Sequence, residues 1–72
     1  MGTDKLALRI RAFRKLKGYT QHELAEQLGV SVAVLGAIER GTRNPDTKLL
    51  TSISETLDID ITELLDEAAN KR

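Results

Sequence analysis

The chain contains no cysteine. That excludes disulfide staples, cysteine-based zinc sites and thiol catalysis. Aromatic residues are almost missing, with one Phe, one Tyr and no Trp, so a core must be made of Leu, Ile, Val and Ala. No apolar run approaches the ~18 residues needed to cross a bilayer. The opening stretch MGTDKLALRIR lacks the apolar core of a signal peptide, and Leu6 stands where a myristoylation motif needs Ser or Thr. There is one His, no Gly-rich phosphate loop and no pair of acids in an apolar setting. Catalysis therefore has no candidate machinery, and neither an enzyme, a cofactor nor a metal site is expected. Period-2 alternation of β-branched residues is also missing, which argues against strands.

What is present is enough for one small all-α domain over residues 1–72. Hydrophobic residues make up 40% of the chain, which permits a core in a body near the lower size limit for independent folding. Net charge is zero, but it is unevenly spread. Residues 1–43 carry eight Lys and Arg against four Asp and Glu; residues 44–72 carry three against seven. A basic half of this kind hints at an anionic partner.

Five helices are predicted, over about 4–17, 21–28, 32–39, 47–57 and 61–69. The first carries an apolar stripe of Leu6, Ile10, Phe13 and Leu16 or Lys17, and Gly18 closes it. Thr20 and Glu23 have the spacing of a capping box at the start of the second. Tyr19, just before that cap, suits a hydrophobic staple. Leu24, Ala25 and Leu28 point inward, Gly29 turns the chain and Ser31 caps the third helix. Leu35 and Ile38 fasten that helix to the body, and Gly41 ends it. Asp46 caps the fourth helix, with Leu49 or Leu50, Ile53 and Leu57 inward. Asp60 to Glu63 resembles another capping box. Helices two and three, joined by about three residues with a glycine at the corner, form a helix-turn-helix.

The stretches "RIRAFRKLKGYTQHELAEQLGVS", "IERGTRNP" and "LDIDITELL" resemble the lambda-type phage repressor and Cro family, the XRE-type regulators, over nearly the whole chain. The resemblance implies a compact five-helix repressor-type domain that binds double-stranded DNA and regulates transcription, with helix three in the major groove and usually as a dimer on a palindromic operator. It implies a cytoplasmic protein, nucleoid-associated when bound to DNA. It places Gln21 on a DNA phosphate, with Thr20 and His22 nearby, and Arg43 and Asn44 on the backbone beyond helix three. It pairs Arg14 with Glu39 in an internal salt bridge.

On a wheel of about 100° per residue, Val34, Leu35, Ile38 and Glu39 fall toward the body. Ser31 opens the helix, and Val32, Ala33, Gly36, Ala37 and Arg40 are expected to face outward and line the bases. Relatives commonly carry Gln, Arg, Ser, Thr or Asn at positions matching Val32, Ala33 and Ala37. Here the face is small and apolar. Apolar groups can read thymine methyls, and DNA shape can supply further discrimination. The alternative is a protein-interaction module whose outer helix-three face binds a regulatory partner; a third possibility is a face of small solvated residues that reads nothing. Ile59, Ile61, Leu64 and Leu65 exceed what a terminal helix easily hides, and a two-fold homodimer contact is expected there.

Overall fold

The computed structural model describes residues 2–65, with side chains from Lys5 onward. Five helices occupy them: α1 (Gly2–Leu16), α2 (Gln21–Leu28), α3 (Val32–Arg40), α4 (Thr47–Leu57) and α5 (Ile61–Leu65). No strand occurs among the described residues. The fold is all-α, and α2 and α3 make the helix-turn-helix.

Local chemistry sets the boundaries. Thr20 Oγ1 accepts the Glu23 N–H at 3.0 Å while Glu23 Oε1 accepts the Thr20 N–H at 2.9 Å. These reciprocal bonds fix where α2 begins. The chain then reverses at Gly29, whose φ of 74° would cost any side-chain-bearing residue steric strain. Ser31 Oγ accepts from Val34 N–H and starts α3; the Asp46 carboxylate does the same for α4 through Leu49 N–H. α1 begins two residues before the predicted start and stops at Leu16, and α3 runs one residue longer than predicted. The capping box expected at Asp60 to Glu63 is not formed. Instead, the Asp60 backbone carbonyl accepts from the N–H groups of Glu63 and Leu64. The predicted extension of helix five to residue 69 lies outside the described residues.

The core draws on all five helices: Ile10 from α1, Leu24 and Ala25 from α2, Leu35 and Ile38 from α3, Ile53 and Leu57 from α4, Leu64 from α5. Burying each large aliphatic chain stabilises the fold by roughly 1.5–3 kcal/mol before entropy is charged against it. Two expectations need correction. Leu16 is 75% exposed, because six residues of helix put it about 120° from Ile10 around the axis; the stripe turns instead through Phe13 to the buried Arg14. Leu64 is fully buried and is unavailable for a dimer contact. α5 packs on α1 and α4, and Arg9 pins it there by donating from Nε and Nη2 to the Glu63 carbonyl at 2.8 and 2.6 Å. That tie turns Leu64 inward and leaves Ile61 and Leu65 half-buried.

Candidate nucleic-acid interface

The helix-turn-helix is locked to α1 by charge. Arg14 Nε donates to Glu39 Oε2 at 2.7 Å and Nη2 donates to Oε1 at 3.1 Å. Arg14 Nη1 donates to the Tyr19 carbonyl at 2.9 Å. The two side chains are 9% and 3% exposed, so the forked guanidinium–carboxylate pair is strong and directional. A third group joins it: Gln21 Nε2 donates to Glu39 Oε1 at 3.1 Å. Gln21 was expected to serve DNA alone, yet it also ties the start of α2 to the end of α3. Its spacing from Glu39 gives no hint of this, because only the crossing of two helices brings them together. No buried polar side-chain atom among the described residues lacks a partner.

The outward face of α3 is narrower than the wheel suggested. Val32 is half-buried and packs against the core. Gly36 is buried, and what covers it is the helix's own charge. A Cβ at residue 36 would lie 3.2 Å from Arg40 Nη1 and 3.9 Å from Gln21 Nε2. Side chains on a helix lean toward its N-terminus, over the residue four earlier, so the Arg40 head lies back across Gly36. Val32 and Gly36 are thus less open than a helical wheel implies. Ser31, Ala33 and Arg40 are exposed and Ala37 is half-exposed.

Two clefts flank this sector. An open one of about 580 Å³ lies between α1, α2 and α3 and is lined by Arg11, Thr20, Gln21, Gly36 and Arg40 above the Arg14–Glu39 pair. Another, of about 410 Å³, lies across α3 toward α4 and includes Ser31, Val34, Arg43, Asp46 and Lys48. At about 100° per residue, Gly36 and Val34 stand on nearly opposite sides of α3, with Ala33 and Ala37 between them. The site residues therefore divide into two groups: Thr20 and Gln21 on one flank, Arg43 on the other. His22 and Asn44 are exposed. Among the described residues no group of His, Asp or Glu could hold a metal ion, and no helix is long and apolar enough to cross a membrane.

The helix-turn-helix family model matches residues 10–64. The chain belongs to the XRE-type helix-turn-helix family. It is 54% identical over 56 residues to YazB of Bacillus subtilis, an uncharacterized HTH-type transcriptional regulator, covering 78% of this chain and 81% of YazB. It is 45% identical over 60 residues to the HTH-type transcriptional regulator SinR of Bacillus subtilis, covering 82% of this chain. It spans about half, 54%, of SinR's length. Among solved structures it resembles SinR, the master regulator for biofilm formation, in complex with DNA, with a TM-score of 0.79 at 42% identity over 85% of this chain and 98% of that one. The matched family is one of transcriptional regulators rather than enzymes.

Proposed function

We propose that this chain binds double-stranded DNA as a transcriptional regulator, most simply a repressor that blocks polymerase, working in the cytoplasm on the nucleoid. The observation that carries the reading is the arrangement around α3. A narrow, small-residue sector is flanked by a basic cleft on each side, and the helix is held at a fixed angle by a buried ion pair. Small side chains let α3 approach the major groove closely, where Ala33 and Ala37 meet thymine methyls and Ser31 serves as a hydrogen-bonding group. Thr20, Gln21 and His22 take the backbone on one side; Arg43 and Asn44 take it on the other. Gln21 has one amide N–H committed to Glu39, which pre-orients the rest of the amide toward a phosphate. The likeness to a SinR domain solved with DNA supports the same docking.

A homodimer fits this reading, through the half-buried Ile59, Ile61 and Leu65, with two α3 helices spaced about one DNA turn, ~34–36 Å, apart. Analytical ultracentrifugation at tens of micromolar tests it; a clean monomer removes this contact.

The deciding experiment is selection of a randomised duplex pool on the purified protein at about 0.1 M salt, where phosphate-driven binding is still strong. An enriched inverted repeat with A·T pairs opposite α3 is the expected result. A pool retained without convergence makes the protein a weakly specific backbone binder. No retention sinks the DNA reading and turns the α3 face over to a protein partner.

A further inference from the structure

We propose that Arg11 and Arg40 together grip a single DNA backbone phosphate in the cleft between α1, α2 and α3, and that Gly36 serves as the seat that holds Arg40 in place. This rests on the DNA reading above and assigns Arg40 to the backbone rather than to the bases.

Within that cleft, Arg14 and Glu39 neutralise each other, so the uncompensated charge comes from Arg11 on one wall and Arg40 on the other. Neither has an acidic partner among the described residues. Two guanidinium groups facing one cleft repel each other, and an anion between them converts that repulsion into attraction. A phosphodiester offers two non-bridging oxygens, and a guanidinium presents a planar fork of donors that matches them. The Arg40 head is already turned toward this cleft. It lies across Gly36 beside the Gln21 amide, which is itself anchored on Glu39. A Cβ at residue 36 would come within 3.2 Å of Arg40 Nη1, so the Arg40 head would have to shift by a few tenths of an ångström from where it now lies. This accounts for glycine in the middle of a nine-residue helix, where it lowers helix propensity: the close contact it makes is with its own helix's arginine. The same geometry turns Arg40 away from Ala33 and Ala37, the residues that would face the bases.

The test compares wild type, Arg11→Ala, Arg40→Ala, the double variant and Gly36→Ala, each confirmed folded by circular dichroism. Each is titrated with duplex DNA over about 0.05–0.3 M salt and put through the randomised-pool selection. Either single arginine variant should weaken binding to all duplexes alike, by about tenfold at 0.1 M salt, without changing the enriched sequence. The double variant should lower the log–log salt slope by about 0.9, the amount for one phosphate, not twice that. Gly36→Ala, which only nudges the Arg40 head, should weaken binding in the same sequence-blind way as Arg40→Ala but by less. An altered enriched sequence for Arg40→Ala makes Arg40 a base reader and overturns the grip. Wild-type slopes and affinities in the arginine variants make both charges bystanders, and wild-type binding by Gly36→Ala removes the seat. If wild type itself binds no duplex at the lowest salt, the DNA reading falls and the grip falls with it, an outcome distinct from wild type binding and the variants matching it.

Discussion

Removal of Glu39 is the sharpest perturbation the structure offers. Its carboxylate is 3% exposed and accepts two bonds from Arg14 and one from Gln21. In Glu39→Ala the Arg14 guanidinium stays nine-tenths buried and keeps only the Tyr19 carbonyl. Breaking a buried pair by removing one partner costs roughly 3–5 kcal/mol, because the other charge is left uncompensated. A folded body of this length has a total stability of only about 4–11 kcal/mol, at ~0.05–0.15 kcal/mol per residue. The substitution should thus remove between roughly a quarter and all of it. Urea unfolding followed by far-UV circular dichroism reads this directly, and a loss of 3 kcal/mol corresponds to at least about 12 °C in Tm for a domain of this size. A companion variant, Arg14→Met with Glu39→Leu, should recover most of the loss, since replacing both charges by apolar groups removes the desolvation penalty. A Glu39→Ala protein within about 1 kcal/mol of wild type would refute the account, because it would mean that water reaches Arg14 freely.

Three further outcomes follow from the same geometry. Leu64→Ala should destabilise by about 2–5 kcal/mol while Leu16→Ser, on the exposed side of α1, stays within about 0.5 kcal/mol; equal unfolding midpoints would contradict the packing of α5. Asp58 holds a left-handed conformation at φ 58°, so Asp58→Gly should leave stability unchanged or raise it by up to about 1 kcal/mol, and a clear drop in urea midpoint would show that the Asp side chain is needed at that cap. Arg43→Ala should lower duplex affinity and reduce the log–log salt slope by about 0.9, whereas Ala37→Glu should weaken binding more than tenfold by setting a carboxylate against DNA. Duplex titrations in which only Ala37→Glu has an effect would place Arg43 in solvent.

Short-range chemistry was legible in the chain itself. The capping box at Thr20 and Glu23, the caps at Ser31 and Asp46, and the turn at Gly29 depend on residues within three or four positions of each other, and pattern reading reaches that far. Asp58 is the exception: its left-handed cap is local, but Asp is tolerated there rather than demanded, so nothing in the sequence announces it. Long-range partnerships were less accessible. The Arg9 bonds to the Glu63 carbonyl span 54 residues and end on a backbone oxygen that carries no side-chain signature. The third member of the Arg14–Glu39 pair, Gln21, was hidden for a similar reason. The wheel for α3 gave directions from the axis but not which side chain lies over which, and so it could not show that Arg40 lies across Gly36 or that Val32 packs partly on the core.

By itself the sequence determined that the chain is helical, where its helices start and turn, and that α2 and α3 form a helix-turn-helix, because these follow from periodicity, caps and backbone-permissive residues acting over a few positions. Only the tertiary structure decided which of those helical residues meet solvent. Leu64 went to the core and Gln21 joined a buried ion pair, because these outcomes depend on how helices cross, and a helix crossing is set by the whole core at once.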